Sequence, residues 1–259
     1  MIAFRGLVRK DFKMARSALV LWIAASFILL ALFYGFSKYI NEPLAMVGFI
    51  VTSLIIQSFF SACLMYYQLQ KEGKTQLWLH NPQSSYILVL SKMTVTFICQ
   101  ILSQILLFLQ NWFVITVFVN PKIIEDGIVT MNDMLLINLA VLTGSIMLMI
   151  WVIFYWSIYS SLKKFPILKK VRALIILALF ILYNMTESLL AHVSKKLSLF
   201  DQWVIPIKTD FAFLYGKNSG WSMDVMTVKF SVIPIIYYVF LSVILLYVSC
   251  RLLNKHVEV

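Results

Sequence analysis

The polar segment from Lys71 to Ser85 contains the residues of this chain that are best suited to chemistry or to docking. It reads KEGKTQLWLHNPQSS and separates two long apolar runs. The glycine, lysine and threonine at its third to fifth positions are found in phosphate-binding loops, where backbone amides and a lysine bind phosphates. Such a loop requires another glycine five positions before Gly73, and the chain has Gln68 there. We therefore do not expect this chain to bind a nucleotide itself.

The same segment is better explained as a docking element. Thr75 can cap a short helix over residues 76–81, and Pro82 ends it. That helix would expose three adjacent hydrophobic residues outside the membrane: Leu77, Trp78 and Leu79. Exposed hydrophobic side chains of this kind are typical of a surface that binds a protein partner. The alternative is a loop that folds back onto the membrane surface through Trp78.

A second polar group lies within an otherwise apolar run. Four residues with helical spacing share one face of the predicted helix: Asn184, Glu187, Ser188 and His192. An acidic residue within a membrane costs a few kcal/mol, and it usually faces the interior of the helix bundle or a cavity. This face could line a pathway or bind a polar part of a substrate. Alternatively, Glu187 reaches the outer end of its helix and pairs with Lys195 or Lys196.

The sequence does not indicate an enzyme or a metal site. No second acid stands beside Glu187 on another span. The histidines lie in three separate regions: His80, His192 and His256. The three cysteines lie within apolar runs, where a thiol acts as a small hydrophobic group: Cys63, Cys99 and Cys250. We expect no catalytic residues, no metal and no cofactor bound by this chain.

The elements that hold these residues are membrane helices. The chain has 259 residues, of which 61% are hydrophobic and 13% are charged, and its mean hydropathy is +0.89. A spanning helix needs roughly 20 apolar residues, and the runs lack the alternation of barrel strands. We predict an all-α membrane protein with one domain over residues 1–259. The six predicted spans are Ser17 to Ser37, Pro43 to Gln70, Met93 to Pro121, Met134 to Leu162, Ala173 to Val193, and Phe230 to Cys250.

The net charge of +11 is explained by orientation in a membrane. If the N-terminus is cytoplasmic, fifteen of the 22 Lys and Arg residues lie on the inner side. Orientation follows this bias, so we predict that both termini are cytoplasmic. Basic loops on that side can contact anionic lipid head groups, and no nucleic acid partner is needed to account for the charge.

Two further segments flank the spans. Residues 1–16 place apolar and basic residues on different faces, which predicts an amphipathic helix lying in the inner interface. The outer connection, residues 194–229, is too apolar to be freely solvated. We expect it to dip back into the membrane as short helical pieces, broken by Pro206, Gly216 and Gly220.

These features resemble the ATP-binding-cassette type-2 permeases, which are bacterial six-helix subunits. In that family the first cytoplasmic loop carries a coupling helix with Gly and Thr, then leucines, then Pro, Ser and a Lys ten residues after the Pro. The matching residues here are Gly73, Thr75, Leu77, Leu79, Pro82, Ser84 and Lys92. The layout of an interfacial helix, six spans and a membrane-dipping outer segment is also similar. The chain departs from the family in having Gln76 where an acidic residue often follows the Thr.

The resemblance implies a non-catalytic permease subunit in the cell membrane of a bacterium. Its expected partners are two copies of a cytoplasmic ATPase, which would bind ATP and Mg, a second permease copy or paralogue, and membrane lipids. The residues implied in ATPase coupling are Gly73, Thr75, Leu77, Trp78, Leu79 and Pro82. By analogy, the cargo is an amphipathic or antimicrobial peptide that is exported. Lipid-linked glycans or small drugs are alternative cargoes, and an ion-coupled secondary transporter using Glu187 is an alternative mechanism.

Overall fold

Six helices make up most of the fold. The computed structural model describes residues 2–41, 45–75, 84–118, 131–162, 168–196, 204–216 and 220–256. The helices are α1 (Ile2–Ile40), α2 (Ala45–Thr75), α3 (Ser85–Val117), α4 (Met131–Ser161), α5 (Leu168–Lys196) and α6 (Val232–His256). All six are long and apolar enough to cross a membrane. The predicted six-helix membrane fold is confirmed.

The first helix corrects the prediction of a separate interfacial helix over residues 1–16. α1 is continuous over 39 residues, which corresponds to about 58 Å at 1.5 Å per residue. Its sequence contains no proline, so nothing breaks it where the apolar run begins. Asp11 and Ala15 are fully buried, and Ala15 packs with residues of α2 and α3. The first four turns are therefore part of the helix bundle.

The second and third helices also extend into the segment predicted to be a loop. α2 continues to Thr75, so Lys71 to Thr75 are helical, and Thr75 is the last residue of this helix. α3 begins at Ser85, after Ser84 in an extended conformation. Lys92 therefore lies inside a helix, because the sequence has no helix breaker between Ser85 and the apolar run. Residues 76–83 lie outside the described part of the chain.

The core joins α2, α3, α4 and α6. Each of these helices contributes two buried residues to its largest hydrophobic cluster: Met65, Leu69, Leu88, Val89, Met149, Ile153, Cys250 and Leu253. A second cluster joins α1 to α2 and α3 around Phe60 and Leu64. α5 is peripheral, because none of the residues in its most apolar stretch is buried. It packs mainly against α4.

Between α5 and α6 the chain forms a β-hairpin, which corrects the expectation of short helical pieces. Strands β1 (Val204–Gly216) and β2 (Gly220–Ser231) are antiparallel. Pro206 fits because each strand of a two-stranded sheet is an edge strand, and Gly216 pairs with Gly220 next to the turn. Open strand edges are not tolerated against lipid, so this hairpin can lie at membrane depth only where protein or water covers its edges.

One close contact between α1 and α2 depends on a glycine. A Cβ atom added at Gly48 would lie 2.9 Å from Cε1 of Phe33. The Phe33 ring packs edge-on against Phe49, with 6.2 Å between the ring centroids. Because that ring is held in a packed cluster, it cannot move aside freely.

We expect Gly48→Ala to lower the free energy of unfolding by about 1–3 kcal/mol through overpacking, measured by unfolding the protein in detergent. The matched control is Gly144→Ala in α4, where an added Cβ meets no atom within 4 Å. That control should be neutral or slightly stabilising, since alanine favours a helix more than glycine does. Equal losses at both positions would contradict the close contact, and adding Phe33→Leu should restore part of the stability of Gly48→Ala.

Candidate functional site

A buried ion network joins the first three helices beside the segment that the sequence singled out. It consists of Lys10 and Asp11 on α1, Glu72 on α2, and Ser91 and Lys92 on α3. Nζ of Lys92 lies 3.1 Å from Oδ1 of Asp11 and 2.8 Å from Oε2 of Glu72. Nζ of Lys10 lies 2.5 Å from Oε1 of Glu72 and 3.8 Å from Oδ1 of Asp11. The hydroxyl of Ser91 donates a 2.6 Å hydrogen bond to Oδ2 of Asp11.

Among the described side chains of the ion network, two ammonium groups face two carboxylates. Three of the four side chains are almost fully buried, since Lys92, Asp11 and Glu72 are exposed by only 0%, 1% and 2%, whereas Lys10 is 38% exposed. Removing such charges from water costs several kcal/mol per ion, and close pairing with extra hydrogen bonds is needed to offset that cost. Each buried charge therefore depends on the other two helices staying in place. The network makes α1, α2 and the start of α3 a single unit.

The ion network holds both ends of residues 76–83. Glu72 lies one turn before the end of α2, and Lys92 lies in the third turn of α3. A further contact fixes the first turn of α3, because the backbone N–H of Ser85 donates a 3.2 Å hydrogen bond to Oδ1 of Asn254 on α6. The helices on either side of residues 76–83 are therefore joined to α1 and α6.

The predicted coupling residues fall into two groups. Gly73 is described and lies directly after Glu72, where an added Cβ would be 3.0 Å from Cζ2 of Trp156 on α4. The absence of a side chain at Gly73 lets this tryptophan approach α2. Thr75 is the last residue of α2. The remaining predicted coupling residues lie outside the described residues: Leu77, Trp78, Leu79 and Pro82.

Sequence reasoning named Lys92 but missed its partners. Asp11 is the one acidic residue in a basic helical stretch, and Glu72 adjoins the coupling motif. Only three acidic residues lie on the side of the chain predicted to be cytoplasmic, and two of them are close to basic residues in the sequence. That proximity was the available signal for an ion network. What the sequence does not contain is the pairing, which joins residues 62 and 81 positions apart.

A ladder of polar side chains also joins the helices of the bundle, and it was not predicted. In this ladder Gln57 Oε1 accepts a 3.0 Å bond from Trp22 Nε1, and Gln57 Nε2 donates a 2.6 Å bond to Ser103 Oγ. Gln104 Nε2 donates a 2.7 Å bond to Asn138 Oδ1, and Gln104 Oε1 accepts a 3.2 Å bond from Gln100. The ladder connects α1, α2, α3 and α4, as interhelical amide and hydroxyl groups commonly do in membranes.

The side chain of Glu187 lies away from the ion network, where α4, α5 and α6 meet. Its Oε1 accepts hydrogen bonds of 2.7 Å from the hydroxyl of Tyr183 and 2.5 Å from that of Tyr238 on α6. The ring of Tyr183 packs on Trp151 of α4, with 4.3 Å between the ring centroids. The carboxylate is therefore held at an aromatic junction of three helices.

Among the described residues of the predicted polar face of α5, Asn184 and Ser188 line a depression, and Glu187 contacts two tyrosines instead. Asn184 donates its amide to the carbonyl of Phe180 on its own helix, at 2.7 Å. Asn184 and Ser188 line a surface depression of about 450 Å³ to which Glu187 does not contribute. The side chains of His192, Lys195 and Lys196 lie outside the described residues, as does the predicted pairing of Glu187 with either lysine. Within the described part of the chain, no group of three His, Cys, Asp or Glu residues could hold a metal ion.

We expect Lys92→Met to lower the free energy of unfolding by about 3–5 kcal/mol, because it leaves two buried carboxylates facing one ammonium group. Unfolding in detergent, followed by circular dichroism, measures this loss. The matched control is Lys71→Met, on an exposed side chain next to Glu72, with an expected change of less than about 1 kcal/mol. The double variant Lys92→Met with Glu72→Gln restores the charge balance and should recover part of the loss. Additive effects of the two substitutions would contradict the network.

The chain is similar along its whole length to a protein of Bacillus subtilis. It is 25% identical over 259 residues to the "Uncharacterized protein YhcE" of Bacillus subtilis (strain 168), and the similarity covers 100% of both chains. No model of a known protein family matches the chain. No solved structure is similar to it.

Proposed function

We propose that this chain is the permease subunit of an ATP-driven exporter of the ATP-binding-cassette type-2 class. It forms the substrate pathway and contains no ATPase of its own. Two copies of a cytoplasmic ATPase, which bind ATP and Mg, dock on residues 71–85. A second permease copy or a paralogue completes the pathway. The complex lies in a bacterial cell membrane with both termini of this chain in the cytoplasm, where the basic loops face anionic lipid.

The observation that carries this proposal is the ion network around Asp11, Glu72 and Lys92. A docking segment transmits force only if the helices on both sides of it are fixed to the parts that must move. Glu72 and Lys92 stand on the two helices that flank residues 76–83, and both contact α1 through Lys10 or Asp11. A push on this segment therefore displaces α1, α2 and α3 together.

An ATPase can drive this unit only through contacts that differ between its open and closed states. The hydrophobic residues Leu77, Trp78 and Leu79 suit such contacts, because tryptophan often dominates the binding energy of an interface and the apolar residues around it exclude water. Gly73 adds a second connection, because its close contact with Trp156 passes movement of α2 to α4. ATP binding would thereby change the packing of the bundle and switch access to the pathway.

The cargo that we propose is an amphipathic or antimicrobial peptide, exported for secretion or for self-protection. This rests on analogy with simple bacterial permeases of the same layout, since a fold alone does not give a substrate. Lipid-linked glycans and small drugs are the alternative cargoes of the same machine.

The central test is co-purification with a cytoplasmic cassette ATPase, such as one encoded in an adjacent reading frame. We expect the unmodified chain to retain the ATPase in detergent, and Leu77→Asp with Trp78→Asp to lose it by at least tenfold, because two charges would enter an apolar contact. The matched control places two aspartates on the other predicted cytoplasmic link, as Ile167→Asp with Leu168→Asp, and should still bind. Equal retention by both double variants would refute docking at residues 76–83.

The rival mechanism is an ion-coupled secondary transporter, which the membrane carboxylate of Glu187 favours. Inverted vesicles with a labelled amphipathic peptide separate the two mechanisms. We expect uptake to need hydrolysable ATP and to continue when a protonophore removes the proton gradient. Uptake that stops with the protonophore and continues without ATP would support ion coupling instead.

A further inference from the structure

A stripe of aromatic residues on α4 faces α5. Trp151, Tyr155 and Tyr159 recur every fourth residue and so lie on one side of the helix. The rings of Trp151 and Tyr155 are stacked, with 5.4 Å between centroids. Tyr183 of α5 contacts the ring of Trp151, so this stripe forms the wall between the two helices. We call it the aromatic seam.

The aromatic seam carries opposite charges at its two ends. At one end the guanidinium carbon of Arg172 on α5 lies 4.0 Å from the ring centroid of Tyr159, which is a cation–π contact. At the other end stands the carboxylate of Glu187. The two charges are fifteen residues apart on α5, which corresponds to about 22 Å along the helix. One end of the seam thus already holds a cation on an aromatic face.

Among the described side chains, the carboxylate of Glu187 makes hydrogen bonds through only one of its two oxygens. Both tyrosine hydroxyls donate to Oε1, and within the described side chains Oε2 accepts no hydrogen bond. Among those same side chains, no lysine or arginine forms an ion pair with Glu187. A carboxylate at membrane depth normally faces a partner or a pathway, because an isolated charge there is costly.

We propose that the aromatic seam is a binding site for a monovalent organic cation with an apolar body, with Glu187 as its counter-charge. The rings of Trp151, Tyr155 and Tyr183 pack on one another, but each is only half-buried. Their exposed surfaces can contact the apolar body and attract the cation, and Glu187 supplies the opposite charge. Inorganic cations fit poorly, because calcium and magnesium need several oxygen ligands and this site offers one carboxylate and two hydroxyls already bonded to it.

The aromatic seam is reachable from the side of the bundle. α5 packs mainly against α4, and no residue in its most apolar stretch is buried. A lipid-soluble cation can therefore reach the exposed side of the seam from the surrounding lipid. This site does not rest on the proposed ATPase, because binding to the bundle needs no energy source. In an exporter it would recognise the cationic group of the cargo.

The test is equilibrium binding of radiolabelled tetraphenylphosphonium to the full purified chain in lipid nanodiscs. We expect saturable binding that weakens at least tenfold in Glu187→Gln and is retained in Glu187→Asp, which keeps the charge. Trp151→Leu should weaken binding about threefold to tenfold, since it removes a cation–π face. Trp112→Leu on α3, away from the seam, is the matched control and should bind as the unmodified chain does.

Tetraphenylborate, an anion of the same shape, distinguishes a site from partition into lipid. We expect it not to compete with tetraphenylphosphonium. Competition by tetraphenylborate, or undiminished binding by Glu187→Gln, would overturn the proposal. Gel filtration and thermal unfolding show whether each variant is folded. If Glu187→Gln is not folded, Tyr155→Leu provides the test instead. We expect weakened binding of tetraphenylphosphonium by Tyr155→Leu, and unchanged binding would refute the proposed site. Loss of ATPase binding in the docking variants would leave these results unchanged.

Discussion

The rest of the structure depends on the pairing of Lys92 with Asp11 and Glu72. A lysine with no exposed surface persists inside a membrane protein only if carboxylates surround it, and these two carboxylates come from two other helices. Removing any one charge leaves the others in a medium that penalises them heavily. The ion network therefore fixes the height and rotation of α1 against α2 and α3. It also explains why α1 continues without a break into the bundle instead of lying along the membrane surface.

The polar ladder also holds helices together, but through hydrogen bonds between neutral groups. Within lipid, helices gain little by hiding apolar side chains from one another, so close packing and interhelical hydrogen bonds decide which helices associate. The bonds of Gln57 to Trp22 and Ser103 connect α1, α2 and α3, and the bond of Gln104 to Asn138 brings in α4. The bundle thus has a polar, tightly joined half and an aromatic half around α5.

The six spans were predictable because hydrocarbon thickness imposes a minimum length of apolar sequence. The ends of the helices could not be predicted, since charged residues such as Glu72 and Lys92 look like loop residues until their partners are known. The hairpin escaped prediction because Pro206, Gly216 and Gly220 punctuate a turn as readily as a series of short helices. At Glu187 the sequence identified the acidic residue but not Tyr238, which lies 51 residues away.

α4 is the element through which the two halves can affect each other. Trp156 meets α2 at Gly73, beside the ion network, and Ser145 accepts a 2.6 Å bond from Ser61 of α2 through its carbonyl. Trp151, little more than one turn from Trp156, contacts Tyr183 of α5. A rotation of α2 large enough to shift the Trp156 ring must turn α4, and the same turn changes the angle at which Trp151 meets Tyr183 and hence the position of Glu187. A packed helix that carries both contacts cannot satisfy one of them in a new position without altering the other.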